Sequence, residues 1–376
     1  MKIAIISPWA VTTGAVGGTE RFIVDLAESL VTRGQSATVY MFDGFKHTKN
    51  KVHYIPIHLL GEYVAINEYS LKEHLGDFSQ LKTYEALAQK VERLIDVSSY
   101  DAIHINTQLL IRAWPTMRRL FTIHTNPFEY KQAWGDDSYA TMIDLARKEA
   151  LNPKTTFAAP SKYYATYFSQ KIESPVIPIP HAITPVRITS LKDKHILCGQ
   201  YGLDETKIHI LLPSRLEPTQ KQPGLLFDSL TSLPAQLISR IEILSSGLDM
   251  QYEKHRQQYE EQAKSLGCSV YFGQFENMSD AYELADIVVL PSKSESFGYS
   301  ALESLTLGIP TILNNIPTFH EIAEGHPSAT FFENKDELAA TLVKLLNHNI
   351  LRHTPSRQWS ERYSIDAWAL KYEELL

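Results

Sequence analysis

The 376 residues exceed what one ordinary core holds and suit two domains of under about 200 residues each. With 44% hydrophobic and 21% charged residues and no apolar run near the roughly 18 needed to cross a bilayer, the composition describes a soluble globular protein whose membrane contact, if any, is peripheral. A formal net charge of -7 argues against general nucleic-acid affinity, and two cysteines, Cys198 and Cys268, form neither a disulfide nor a metal pattern, which points to a reducing compartment, the cytoplasm.

The chain opens with the apolar residues Ile3 to Ile6, interrupted by Ser7 and Pro8; the run is too short for a secretion-signal core and reads as a buried strand over 2–7. Next come a loop rich in Gly and Thr, helical spacing of Phe22, Ile23, Leu26, Leu30 and Val31 over 20–33, and a strand over 37–42. Strand, glycine loop, helix and strand make the βαβ unit of a doubly wound sheet, which binds ligands at the carboxyl ends of its strands. The loop Gly14, Ala15, Val16, Gly17, Gly18, Thr19 and Glu20 lies at such an end. It lacks the glycine spacing of a dinucleotide site and the Gly-Lys-Ser/Thr of a Walker loop. Either its N–H groups meet a phosphate, or it is a flexible loop with Thr19 as the helix N-cap.

A strand beginning near Val52 and an amphipathic helix over 81–95 precede a short strand over 102–105. Trp114-Pro115 and then Arg118-Arg119 lead to a strand over 120–123, which delivers His124, Thr125, Asn126 and Pro127 at its end. That position makes His124 a candidate for chemistry, although a lone histidine is ordinarily structural. A strand over 156–160 closes the first half, followed by Ser161 as cap of a helix over 163–171. Pro175, Pro178 and Pro180 then exclude a helix and resist central-strand pairing, so 175–181 reads as the domain linker.

A second α/β series follows, with strands over 208–213, 241–245, 270–272, 287–290 and 311–313, and helices from 225, over 250–266 and over 279–285. Arg215 and Lys221 flank the loop after the first of these strands, where two fixed cations neutralise a diphosphate or are simply solvated. After Leu290 comes PSKSESFGYSALESLTLG, in which Glu295 and Glu303 are eight residues apart. Residues 299–307 have the composition of a helix; if it starts as early as about Ser296, the two carboxylates share one azimuth about 12 Å apart along the axis, within reach of one ligand. Gly298 then allows close backbone approach, and the first-turn N–H groups favour an anion. The ordinary alternative is a glutamate-rich helix start complementing the macrodipole, with Glu303 facing solvent. Residues 357–376 read as a helix rich in Trp, Tyr and Leu.

Taken together, Gly17-Gly18-Thr19-Glu20, Thr122-Ile123-His124, Ser214-Arg215 through Lys221, and Pro291-Ser292 through Glu295-Ser296-Phe297-Gly298 to Glu303 resemble, in order, the retaining glycosyltransferases of the GT-B fold, most closely glycosyltransferase family 4. The resemblance implies two Rossmann-like, doubly wound α/β domains facing across a cleft: an acceptor-side domain over 1–180, completed by the helix 357–376, and a nucleotide-sugar domain over 181–356. It implies that Glu303 holds ribose hydroxyls, Arg215 and Lys221 the diphosphate, and Glu295 the donor sugar. Phe297, Gly298 and Tyr299 would contact sugar and phosphate through their backbone, with Gly17 and Gly18 approaching the phosphate from the first domain. His124 would lie near the reacting centre, with Glu20 and Asn126 on the acceptor side. The chain departs from the usual pattern at Ser214 and Gln222, where glycine is common, in a loop one residue longer before Lys221, and in His181-Ala182 for Asn-Gly.

The implied reaction moves a hexosyl unit, with retention, from a nucleotide diphosphate sugar, UDP-linked or GDP-linked with UDP favoured, to a hydroxyl of a glycan, glycolipid or small molecule in polysaccharide or glycoconjugate synthesis. No cofactor or metal is expected, because the cations serve the diphosphate and no Asp-x-Asp element lies near the site. The alternatives are an epimerase or inverting transferase on the same fold, and a non-catalytic nucleotide-sugar-binding subunit. Tyr63, Tyr69, Trp114, Tyr130 and Trp134 are candidates for stacking on a sugar. Arg112, Arg118 and Arg119 are candidates for anionic lipid headgroups, which would suit a lipid-linked acceptor.

Overall fold

The structure is a computed structural model that describes residues 1–8, 17–42, 44–59, 68–184, 188–247, 252–348 and 350–376. Gly14, Ala15, Val16 and Tyr63 lie outside the described residues, as does the side chain of Tyr69. Contacts divide the chain into two α/β units, 1–182 with 365–376, and 183–364.

In the first unit the strands are β1 (Lys2–Ser7), β2 (Ser36–Met41), β3 (His47–Lys49), β4 (Val52–Pro56), β5 (Ala102–Ile105), β6 (Arg119–Thr122), β7 (Thr155–Ala159) and β8 (Val176–Pro178). They form one sheet in the order β3-β4-β2-β1-β5-β6-β7-β8, parallel except for the β3–β4 pair. Ile3, Ile5, Ile6, Ile103, Ile105 and Leu120 are fully buried, the continuous apolar character that a sheet covered on both faces demands. Helix Gly18–Thr32 turns Phe22, Ile23, Leu26 and Leu30 inward at helical spacing. The order reverses between β1 and β5, so the carboxyl ends of β1, β5 and β6 border the switch point where such sheets bind ligands.

The second unit contains β9 (Ile208–Arg215), β10 (Ile241–Gly247), β11 (Ser269–Phe272), β12 (Ile287–Leu290), β13 (Thr311–Asn314) and β14 (Ala329–Phe332), all parallel in the order β11-β10-β9-β12-β13-β14. Its switch point lies between β9 and β12, the two strands that end at Arg215 and at Leu290. Cores form on both faces of this sheet, one around Leu211, Val288, Leu302 and Phe319 and one around Ile210, Phe227, Ile243 and Leu342.

Two segments differ from expectation. Within the proline-rich stretch, Val176–Pro178 is a strand: Phe157 pairs with Val176 and Ala159 with Pro178, and β8 is an edge strand, where a missing N–H costs one ladder bond at most. The expected single helix over 357–376 is two helices, Arg357–Arg362 in the second unit and Ile365–Leu375 in the first. Trp359 holds the former in place, being 2% exposed and donating its Nε1–H to the Ile322 carbonyl at 2.8 Å. The latter packs Trp368 and Tyr372 edge-on to Phe22, with ring centroids 5.3 and 5.5 Å away.

Candidate functional site

In the second unit, β9 ends at Arg215, whose exposed guanidinium has no hydrogen bond or ion pair among the described residues. The following loop is built around Glu217, only 7% exposed. Its carboxylate accepts the backbone N–H of Thr219 at 2.9 Å, Gln220 at 2.5 Å and Lys221 at 3.1 Å, as well as the Thr219 hydroxyl. Burial pushes the Glu217 carboxyl up, but these hydrogen bonds to the anion outweigh it and hold the group below its ordinary value. The turn closes with the Gln222 N–H on the Glu217 carbonyl at 3.1 Å, with Gln222 at φ 49° in the left-handed region. That backbone explains why glycine suits this position in similar sequences; glutamine adopts it at a cost in strain.

The loop 216–222 is joined to the loop after β12. Gln220, buried, donates Nε2–H to the Ser294 carbonyl at 3.1 Å and receives the Lys293 N–H at 2.7 Å. The Lys221 ammonium meets Glu295 Oε1 at 2.7 Å, with both side chains under one-fifth exposed. At the end of β13, Asn314 donates to the carbonyls of Pro291 and Ser292, fixing the far side of the same loop. The unit therefore assembles Lys221, Glu295 and Arg215 at its switch point.

Helix Tyr299–Thr306 begins where the helical composition begins, three residues after the start near Ser296 that the shared azimuth required, with Gly298 as N-cap at φ 106° and ψ 65°. Glu295 is thus outside the helix, and the common azimuth expected for Glu295 and Glu303 does not hold. Glu303 is 5% exposed and does not face solvent; its Oε2 accepts the Tyr282 hydroxyl. Gly298 is required by its own neighbours: a Cβ there would stand 2.8 Å from Phe319 Cε1, at a φ that side chains rarely adopt. Phe297 turns its side chain into the core, 4% exposed and edge-on to Tyr299 at 5.7 Å. The first turn of this helix has no side-chain cap.

In the first unit, helix Gly18–Thr32 has Gly17 as N-cap, so Thr19 lies inside the helix and does not cap it. A Cβ at Gly17 would fall 2.2 Å from Glu20 Oε2, which places the Glu20 carboxylate over the helix start, a location favoured by the macrodipole. Asn126 is 1% exposed and caps helix Pro127–Trp134, its Oδ1 accepting the Glu129 N–H at 2.9 Å while Glu129 reaches back to the Asn126 N–H. Its carbonyl oxygen is committed to this capping box rather than turned to a ligand.

His124 follows β6, 9% exposed. Its Nε2 lies 2.9 Å from Asn106 Oδ1, and Asn106 is itself oriented by donating Nδ2–H to the Ile6 carbonyl at 3.2 Å. Asn106 thus accepts, His124 donates from Nε2, and Nδ1 is left as the acceptor nitrogen. Burial lowers the His124 pKa to about 3, so the ring is neutral at physiological pH. Phe22 packs edge-on at 4.5 Å and His181 stacks at 5.6 Å. Burial also drives His104 and His181 well below the ordinary histidine value, with His124 as a second cause in each. Pro8, Thr19, Phe42, Leu71, Asn106, Thr107, Gln108, Leu109, His124, Thr125, Tyr130 and Trp134 surround a pocket of about 70 Å³ at the carboxyl ends of β1, β5 and β6.

Asn106, Gln108, Glu217 and Gln220 were not singled out from sequence. Asn106 and Gln108 follow the apolar run 102–105, so the strand-end rule that selected His124 would also have selected them. The lipid-facing arginine patch is corrected: the Arg119 side chain is fully buried, donating to Glu149 at 2.6 Å, Thr155 at 2.7 Å and the Ala113 carbonyl at 2.7 Å. Arg112 pairs with the same Glu149, and Trp114 is 5% exposed and away from the pocket lining. Among the described residues, no group of three or more His, Cys, Asp or Glu side chains converges as metal ligands, and no helix is long and apolar enough to cross a membrane.

Residues 16–187 match the family model Glycosyltransferase Family 4, and residues 193–362 match Glycosyl transferases group 1. The O-antigen biosynthesis glycosyltransferase WclY of Escherichia coli is 30% identical over 125 residues, 33% of this chain and 35% of WclY, so the chain matches about a third of that relative's length. Among solved structures, sucrose-phosphate synthase from Thermosynechococcus elongatus superposes with a TM-score of 0.78 at 19% identity, covering 100% of this chain and 98% of that one. Anabaena HepE in complex with UDP and glucose gives 0.73 at 18% identity, again covering 100% and 98%. With one match falling on each α/β unit and the two between them taking in most of the chain, this protein belongs to the GT-B glycosyltransferases of family 4 and group 1.

Proposed function

We propose that the protein is a retaining hexosyltransferase that uses a nucleotide diphosphate sugar. The observation that carries this reading is that the Lys221–Glu295 pair and Arg215, whose guanidinium has no partner among the described residues, stand on the two loops at the switch point of the second unit, before a helix start without a side-chain cap. Arg215, Lys221 and the N–H groups after Gly298 receive the diphosphate, Glu295 takes hydroxyls of the donor sugar, and Glu303, oriented by Tyr282, takes those of the ribose. UDP is favoured because HepE was solved with UDP and glucose, and a glycan acceptor because WclY is an O-antigen enzyme. For Gly17 and Gly18 to approach a phosphate, the Glu20 carboxylate swings away from the helix start.

In the reaction, the bond from the anomeric carbon to the diphosphate oxygen breaks and the acceptor hydroxyl oxygen attacks from the same face. The hydroxyl proton passes to the leaving phosphate. Preorganised cations stabilise the departing charge, which in other enzymes supplies several kcal/mol. His124, neutral and already donating from Nε2, orients a hydroxyl through Nδ1 rather than taking its proton. No metal enters this reading, and the cytoplasm, where nucleotide sugars are consumed, is the compartment it implies.

The test is thermal stabilisation by a panel of nucleotides and nucleotide sugars, repeated on Glu303→Ala. A UDP-specific shift that disappears in the variant supports the reading. No shift with any nucleotide, at concentrations up to the millimolar range, overturns it.

A further inference from the structure

The pocket of the first unit is neutral throughout: its lining contains no Lys, Arg, Asp or Glu, and His124 there is uncharged. Lys72, next to the lining residue Leu71, donates its ammonium to the Ala133 carbonyl at 2.9 Å and lies 5.3 Å from the Trp134 ring centroid. Several polar groups of the lining are already used. Asn106 is engaged at both ends of its amide, and Thr107 Oγ1 accepts the Leu109 N–H.

Two groups remain. Gln108, 8% exposed, has its Nε2 buried without a hydrogen bond among the described residues, and a buried donor in that state seeks an acceptor oxygen. His124 presents Nδ1 as an acceptor. One donor and one acceptor complement a hydroxyl, which both gives and receives a hydrogen bond; a phosphate dianion brings oxygens that only accept and finds no cation. Tyr130, Trp134 and Phe42 are in the lining and supply apolar surface against which the C–H face of a sugar packs. The volume holds roughly five waters, room for one edge of a sugar ring whose remainder stands at the mouth.

Building on the acceptor side of the reading above, we propose that this pocket binds an uncharged hexopyranose ring, with Gln108 Nε2 donating to a ring hydroxyl and thereby selecting neutral sugars over sugar phosphates. The ring belongs to a free sugar, the end of a glycan or a glycolipid headgroup.

The experiment is saturation-transfer NMR on the full chain, with and without saturating UDP, using methyl hexopyranosides of gluco, galacto and manno configuration and the matching hexose 6-phosphates. At least one methyl glycoside is expected to bind more tightly than its 6-phosphate, and about three- to tenfold more weakly to Gln108→Leu, the worth of one neutral hydrogen bond. Trp134→Ala, at a partly exposed position, provides an independent loss of binding should Gln108→Leu misfold. Tighter binding of an oligosaccharide or an octyl glycoside supports the inference and identifies the source as glycan or glycolipid. Absence of methyl-glycoside binding in both conditions, or a preference for the 6-phosphates, overturns it. UDP stabilisation in the same samples keeps this failure separate from failure of the donor reading.

Discussion

Glu217→Ala removes one buried carboxylate and leaves the N–H groups of Thr219, Gln220 and Lys221 without their shared acceptor. Hydrogen bonds to an ion contribute about 1.5–3 kcal/mol each, and water replaces part of them at exposed Thr219, so the loss comes to about 2–4 kcal/mol. For a unit of this size that is a fall of roughly 5–10 °C in Tm, read by scanning calorimetry. Because Lys221 is the third of those donors, its ion pair with Glu295 loosens as well, and UDP affinity falls in the same variant. The sign with pH follows from the lowered carboxyl. The stabilisation is complete above the unfolded value of about 4.3 and is lost as pH falls through the folded value beneath it. Glu217→Ala therefore flattens the acid limb of the stability profile. A variant with wild-type Tm, UDP affinity and acid limb would refute the view that this carboxylate organises the loop.

Gly298→Ala combines a left-handed backbone with a contact of 2.8 Å to Phe319, and is expected to lower stability by about 2–3 kcal/mol and weaken UDP binding; denaturant unfolding and titration check it. His104, His124 and His181 are all held below the ordinary histidine value by burial, so the unfolded chain binds more protons than the native one as pH falls below about 6.5. Stability is then expected to drop by up to about 4 kcal/mol per pH unit below about 5.5, and less steeply in His104→Gln, as Tm measured against pH would reveal. Arg119→Ala leaves the buried Glu149 to Arg112 alone and is expected to cost about 1.5–3 kcal/mol; sedimentation with anionic vesicles is unchanged by Arg119→Met if the residue is structural as its burial indicates.

The alternation of apolar runs with amphipathic segments identified the central strands of both sheets but not β3, β8 and β14, because buried parallel strands must be apolar on both faces and leave a local signature that edge strands lack. Ile287–Leu290 shows this, with strand limits that coincide with its apolar run. The strand-end rule likewise led to His124, Arg215 and Lys221, since a doubly wound topology ties ligand position to chain order. What chain order could not convey was how those residues are held. The acceptor nitrogen of His124 depends on Asn106, 18 residues away, and the Lys221–Glu295 pair spans 74 residues. The three prolines look like a linker, yet Pro178 sits in an edge strand, because pairing with β7 is decided across the sheet. Arg112, Arg118 and Arg119 look alike in sequence, and only the position of Glu149 separates the buried Arg119 from the exposed Arg118. Periodicity records which residues leave water; which partner each polar group meets is set by segments that come together only when the chain folds.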